Sequence, residues 1–253
     1  MKFINDNIIY KYVSFLSKGN FASVFLFLNE KNYPVVFKFI DDYEIYLNEV
    51  NILKKIFYQN NNIRMNKSNN MLINIAYYYD SGSINNINSE YNEFLKYLNI
   101  YIENKKYYYF IITNYINGTC LDKLNLEKMT KDFFIKFMHD MLVALLLIQS
   151  KKISHKDIYE SNIMYDTSNN LFVLIDFGNS CFENEKTCIN YDWYYIYMII
   201  YNNAYLVFPE FYDYFDPKLE IKKTFQIYET LFGNIYTPSY YDVLNFIEEK
   251  YLI

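Results

Sequence analysis

Cysteine, proline and glycine are scarce in this chain of 253 residues, at three, four and five residues respectively. Cys120, Cys181 and Cys188 are an odd number without metal-ligand spacing. That speaks against a disulfide framework and for a reduced setting. No uninterrupted apolar run reaches bilayer-spanning length, and Met1–Asn7 holds no signal-like apolar core. The expected location is therefore cytoplasmic, in the protein's own cell or in a host's, with no membrane partner. Basic residues are in deficit as well, 24 against 29 acidic ones, for a net charge of −5. Non-specific nucleic-acid binding needs clustered Lys and Arg to replace counterions, so nucleic acid is not an expected partner.

What is abundant is aromatic: 31 tyrosines and 22 phenylalanines. Heavy use of Tyr, Phe, Asn, Ile and Lys is what AT-rich codons produce. Runs such as Tyr77-Tyr78-Tyr79 and Tyr107-Tyr108-Tyr109 are read as strand and core residues rather than stacking platforms.

The most specific stretch is His155-Lys156-Asp157-Ile158-Tyr159-Glu160-Ser161-Asn162, with Asp176-Phe177-Gly178 fourteen residues beyond its Asn. Phosphoryl transfer from Mg-ATP asks for an Asp to orient the incoming hydroxyl and accept its proton. It also asks for an Asn five residues later and a second Asp to hold the metal ions. Asp157, Asn162 and Asp176 have those spacings. Between them, 162–165 and 171–175 read as short apolar strands around the polar turn 166–170, a hairpin that returns the two metal ligands to each other.

These motifs resemble the catalytic and metal loops of the protein kinase superfamily, H-R-D-L-x-x-x-N and D-F-G. The resemblance extends upstream. Leu16–Val24 has the outline of the Gly-rich loop that covers the phosphates, with Gly19 retained and the small Ser17 and Ala22 in the other two glycine places. Pro34–Ile40 resembles the V-A-I-K strand, which makes Lys38 the phosphate-pairing lysine. Glu49, in a segment resembling the E-x-x-I-L-K of the kinase C-helix, becomes its partner, because a cation in an apolar strand is costly unless paired. Asp41 or Asp42 would cap that helix, with Glu44 completing a capping box from Asp41. Leu47, Val50, Leu53 and Ile56 recur at intervals of three along one packed side.

The resemblance, covering about Leu16–Tyr201, implies an α+β, two-lobed kinase-like fold over 1–253. A β-rich N-lobe with one C-helix (about 1–113) would lead through a hinge (114–118) into a mainly helical, truncated C-lobe (119–253). The hinge backbone at Asn114 and Ile116 would meet adenine, guarded by Thr113, and Val24, Val36 and Met164 would sandwich the ring. Leu53, His155 and Phe177, with Asp192 beneath them, would stack to hold the active geometry. A hairpin of 98–102 with 106–113 is expected in the small lobe. The stretch 59–90 reads as polar and partly a surface insertion. Asp132–Gln149 reads as a core helix, with Phe134, Phe137, Met138, Met141, Leu142, Leu145 and Leu146 at helical intervals.

Three departures from the family pattern qualify its implications. Tyr159 stands where Ser/Thr kinases usually carry a Lys that neutralises the transferring phosphate. Asp192 follows Asp176 by sixteen residues, which leaves no room for an ordinary activation loop, and Lys156 replaces the Arg that commonly reads a loop phosphate. About sixty residues follow Asp192, fewer than the usual C-lobe needs. The resemblance implies ATP and Mg2+ as cofactors, a protein substrate, and activity that is constitutive or gated by a protein partner. Three functions stay open: an atypical Ser/Thr protein kinase, a small-molecule kinase of the aminoglycoside or choline kinase type, and a pseudokinase acting as a binding module.

Overall fold

The structure, a computed structural model, describes residues 2–5, 8–58, 74–85, 107–124 and 130–185, and then Cys188, Asp192, Tyr195, Ile196 and Ile199. Its first half is a six-stranded antiparallel sheet built from β1 (Lys2–Asn5), β2 (Ile8–Lys18), β3 (Ala22–Leu28), β4 (Pro34–Ile40), β5 (Tyr78–Asn85) and β6 (Tyr107–Asn114). The spatial order is β1-β2-β3-β4-β6-β5. Alternation along the central strands separates two faces. One face is aromatic: Phe25, Phe27, Phe37, Phe39 and Phe110 pack with Tyr10 and Tyr108 in a single buried cluster. The other carries Val24, Val36 and Lys38, with Val24 opposite Lys38 and Lys38 opposite Ile111.

Helix α1 (Tyr43–Tyr58) packs on this second side. Asp42 is its cap, accepting from the Glu44 and Ile45 amides at 2.8 and 3.1 Å. With the cap at Asp42, the third helical position falls on Ile45, so the capping box expected from Asp41 to Glu44 does not form. Val50, Leu53 and Ile56 are buried as the interval of three predicts, Leu47 is half-buried, and Ile52 joins the core.

Strand β5 begins within the Tyr77–Tyr79 run that reads as strand and core, and it continues into the polar part of 59–90. Asp80-Ser81-Gly82-Ser83 has little intrinsic strand preference, yet it pairs along β6 from Tyr78↔Thr113 to Asn85↔Tyr107. Tertiary packing decides the matter, since a Cβ on Gly82 would lie 2.7 Å from the Phe110 ring. The expected partner 98–102 lies outside the described residues, and the two edges of β6 are taken by β4 and β5.

The second half is organised by β7 (Gly118–Cys120), helix α2 (Lys131–Ser150), β8 (Ile153–Ser154), β9 (Ile163–Asp166), β10 (Leu171–Leu174) and β11 (Cys181–Phe182). Thr130 caps α2 through the Phe133 amide. Phe137, Met141, Leu145 and Ile148 are buried, while the side chains of Phe134, Met138 and Leu142 lie outside the described ones. Buried Asp140 ties α2 to β10 by accepting from the Phe172 amide at 2.9 Å.

The β9–β10 hairpin forms as expected, with Leu174 opposite Ile163 and Asp166 accepting from the Ser168 amide in the turn. Strand β7 lies so close to β9 that a Cβ on Gly118 would overlap the Tyr165 carbonyl. The chain after residue 114 therefore enters the second half through a position only glycine fits.

Cys181 and Cys188, seven residues apart, form a disulfide, and Cys120 is the free thiol. This overturns the expectation that no disulfide would be present. Counting cysteines could not anticipate it, because an odd total is compatible with one bond plus one free thiol. β11 brings Cys181 against Ser154, and the chain turns back within a few residues. The fold is two-lobed α+β, with a β-rich first lobe and a second lobe whose described part is built on helix α2 and the β9–β10 hairpin. Among the described residues, no helix is long and apolar enough to cross a membrane.

Candidate active site

The site forms where the Lys38 face of the sheet meets the loops on either side of the β9–β10 hairpin. The β2–β3 turn overhangs it: Ser17 is opposite Val24, and the Gly19 amide closes a tight turn on the Ala22 carbonyl at 2.8 Å. Phe21, at the tip, is 56% exposed.

Beneath the turn, the Lys38 ammonium donates to both oxygens of Glu49, at 3.0 and 2.8 Å, and to Asp176 Oδ1 at 2.6 Å. Glu49 is nearly sealed from solvent, whereas the Asp176 carboxylate is 44% exposed. Burial alone would depress the Lys38 pKa, but Glu49 and Asp176 outweigh it and hold the ammonium well above its ordinary range. Burial, with Asp176 close by, pushes the Glu49 carboxyl up despite Lys38. Burial also opposes ionisation of Asp176, yet Lys38 and the Gly178 amide keep that carboxyl below its usual value. Two carboxyl groups thus share one ammonium.

The residues of the His155–Asn162 loop are held from below. Asp192, buried, accepts from the His155 and Lys156 amides at 2.6 and 2.8 Å. The His155 ring lies 4.7 Å from that of Phe177, edge to face. His155 is fully enclosed, and burial keeps it below the ordinary histidine pKa although Asp192 favours the charged form. As the neutral ring its Nε2–H donates to the Ile175 carbonyl at 3.1 Å, and Nδ1 accepts from the Asp157 amide at 3.3 Å. Of the expected stack, Phe177 meets the His155 ring above Asp192, and Leu53 belongs to the same buried cluster as Phe177.

Asp157 presents its carboxylate beside this stack. Asn162 Nδ2 donates to the Asp157 carbonyl at 2.8 Å and to Oδ2 at 3.1 Å, which leaves the Asn162 Oδ1 as an acceptor. Asn179 Nδ2 donates to the same Oδ2 at 3.1 Å. Lys156 and Asp176, on the two loops, adopt φ of 65° and 62°. Such left-handed backbone costs on the order of 1 kcal/mol or more for a residue with a side chain, and it persists where surrounding bonds over-determine it. Here the Asp192 and Lys38 contacts do so.

Val24, Val36 and Met164 are each half-buried. Val36 is opposite Thr113. Asn114 donates its amide to the Tyr77 carbonyl at 3.0 Å and accepts from the Tyr77 amide through its side chain at 2.6 Å. The Ile116 side chain is buried with Ala76 and Val173, and its main chain makes no backbone hydrogen bond among the described residues.

The structure therefore brings together Lys38, Glu49, Asp176, Asp157 and Asn162. Ser17 lies near the end of β2, beside the turn that holds Gly19, Ala22 and Val24 are on β3, Val36 is on β4, Asn114 ends β6, and Ile116 and Met164 pack together with Ala76 and Val173. Three participants were not anticipated from sequence. Asn179 reaches Asp157. Asn48 on α1 donates to the Gly178 and Ser180 carbonyls at 3.3 and 2.8 Å. The Cys181–Cys188 bond closes the segment that follows. An Asn next to Glu49 and another directly after Gly178 were the available signals, but asparagine is so common here that neither stands out.

Two comparisons bear on this arrangement. The family model described as protein kinase domain matches residues 10–205. A probable serine/threonine-protein kinase of Dictyostelium discoideum is 34% identical over 103 residues, which cover 37% of this chain and 15% of that protein. The chain thus spans a small part of the length of this relative.

Proposed function

Because the chain belongs to the protein kinase domain family, matched over residues 10–205, we propose that it transfers the γ-phosphate of Mg-ATP to a serine or threonine hydroxyl of a protein. The observation that carries the reading is the joint assembly of two groups of side chains: the Lys38–Glu49–Asp176 cluster, and Asp157 with Asn162 at 2.8 and 3.1 Å. In this reading the chain is one domain, with lobes meeting at a hinge of 114–118.

The donor set fits magnesium. Asn162 Oδ1 and the exposed Asp176 carboxylate are hard oxygen ligands. Mg2+ is typically held by one or two protein oxygens together with phosphates and water. Asn162 and Asp176 would hold it, and bound there it would supply positive charge to offset that of the phosphates.

The chain's own groups do the rest. Lys38, oriented by Glu49, pairs with the α- and β-phosphates. Ser17, Gly19 and Ala22 bring the turn down over them. Val24, Val36 and Met164 enclose the adenine, and the main chain of Asn114 and Ile116 meets its edge. Asp157 has one oxygen occupied by amide donors, so the other is oriented to take the acceptor's proton. Dependence on ATP favours the cytoplasm, of its own or a host cell, as the place of action, whereas the Cys181–Cys188 bond removes the support that the cysteine count lent to a reduced setting. Sixteen residues from Asp176 to Asp192, with a disulfide among them, favour constitutive or partner-gated activity over loop phosphorylation.

The same short segment favours a second reading, a small-molecule phosphotransferase, because it leaves little chain to dock a peptide. The deciding experiment is transfer of labelled phosphate from Mg-ATP to the protein itself and to generic Ser/Thr substrates, with Asp157→Asn and Asp176→Ala as controls. Label that vanishes in both variants supports the protein kinase. Mg-ATP binding without protein label redirects the search to small hydroxyl acceptors, and no nucleotide binding leaves a pseudokinase.

A further inference from the structure

Among the described residues, Asn179 is the one side chain from beyond the metal loop with a hydrogen bond to the proposed base, and the geometry points to a role for it. We propose that Asn179 is a positioning residue for Asp157, fixing the carboxylate together with Asn162 and linking the base to helix α1 through Asn48. The inference rests on the kinase reading above and names a part of the machinery that the sequence motifs do not contain.

A carboxylate offers about four lone-pair sites on two oxygens, and a single donor leaves it free to swing about its last torsion. Asp157 has two donors on Oδ2, the amides of Asn162 and Asn179, each at 3.1 Å. They approach from separate chain segments, one ahead of the β9–β10 hairpin and one after it. Oδ2 is thereby committed, and Oδ1 is the oxygen left to receive a hydroxyl proton.

Such an amide is useful only if its backbone is held, and the Asn179 frame is held on both sides. Asn48 Nδ2 donates to the carbonyls immediately before and after it, Gly178 at 3.3 Å and Ser180 at 2.8 Å. The Ser180 amide donates to the Phe177 carbonyl at 3.1 Å, and its hydroxyl donates to the His155 carbonyl at 3.2 Å. Since Asn48 precedes Glu49 on α1, one helix seats the Lys38 clamp and the Asn179 turn together. Withdrawal of α1 would loosen both. At position 159, where a cation could have steadied the base, the chain has a tyrosine that is 49% exposed. Asn179 supplies an N–H donor that Tyr159 does not provide.

The test is steady-state kinetics of phosphate transfer for wild type, Asn179→Ala, Asn179→Gln and Asn48→Ala, with Mg-ATP affinity and Tm measured on each. Misplacing a reacting group by about 1 Å costs up to 100-fold. The expected result for Asn179→Ala is therefore a kcat lowered about 10- to 100-fold, with KM for ATP and Tm unchanged. Asn179→Gln, which keeps the amide on a longer arm, recovers part of the loss, and Asn48→Ala shows the same kcat-selective pattern in weaker form. An Asn179→Ala variant with wild-type kcat overturns the inference while leaving the kinase reading intact. So does a loss that appears equally in ATP affinity and Tm, or that Gln fails to relieve at all. A wild-type protein that transfers phosphate to no acceptor overturns both.

Discussion

Lys38 on β4 and Asp176 beyond β10 are 138 residues apart in sequence and 2.6 Å apart in space, within the reach of one ammonium that also serves Glu49. Removing that ammonium leaves a buried carboxylate uncompensated. Lys38→Met should abolish detectable transfer and also lower stability by a few kcal/mol, the scale of a broken buried ion pair. Lys38→Arg should regain the stability better than the turnover, because a planar guanidinium cannot reproduce the three contacts of a point charge. Parallel measurements of transfer rate and Tm separate the two effects. Equal recovery of both would contradict the assignment.

Asp140 gives a pH signature. Burial opposes its ionisation, but the His139 ring, the Phe172 amide and Lys136 together hold its carboxyl below the ordinary range. A depressed folded-state pKa stabilises the protein above the unfolded value, near 4, and that contribution is lost as pH falls through the folded value. Asp140→Asn should therefore lower Tm at pH 7, by an amount equivalent to about 1–3 kcal/mol. Below about pH 4 the gap between variant and wild type should close. A gap independent of pH would show that shape, not charge, is what α2 needs.

Tyr159 lies against Tyr195, ring centroids 5.6 Å apart, at the edge of the base. Charge stabilisation supplies much of phosphoryl-transfer catalysis. Tyr159→Lys is expected to raise kcat about tenfold, and the gain should shrink with added salt. A variant slower than wild type would mean that the tyrosine pair itself shapes the site.

Alkylation of the native, unreduced protein should label a single cysteine, Cys120, and full labelling of three should require a reductant. The Cys181–Cys188 bond closes a short loop, worth about 2 kcal/mol in the chain-entropy view. Cys188→Ser should make the segment after Phe177 more susceptible to limited proteolysis while the sheet of the first lobe stays resistant. Three labels without reductant would show that the bond does not form in solution.

Gly118→Ala tests the junction between the lobes. The added methyl meets the Tyr165 main chain rather than a yielding side chain, so a loss of about 1–3 kcal/mol is expected. Mg-ATP affinity should fall with it, since residues 114–116 are displaced. Unchanged Tm would refute the close approach of β7 and β9.

The motifs around the site were legible because phosphoryl transfer demands particular side chains at fixed spacings: Asp157, Asn162, Asp176, Lys38 and Glu49 are all found together. The helices were legible because their apolar periods are long. The polar part of strand β5 was not, since Asp80-Ser81-Gly82-Ser83 is placed by β6 and by the Phe110 ring rather than by its own preference. The cap of α1 was narrowed to two neighbouring aspartates, and geometry chose Asp42. Asn48 and Asn179 were hidden by abundance, as hydrogen bonds between distant turns leave no periodic trace. The expected extent of kinase resemblance, about Leu16–Tyr201, agrees with the matched span of 10–205.

The sharing of one ammonium by Glu49 and Asp176 has a thermodynamic corollary. If Mg-ATP binds as proposed, a cation at Asp176 would free Lys38 for the phosphates, and phosphates at Lys38 would free Asp176 for the cation. Each ligand removes a competitor of the other, so their affinities are linked, and by the same factor in both directions. Metal-free nucleotide and nucleotide-free metal should each bind this pocket poorly, and the pair cooperatively.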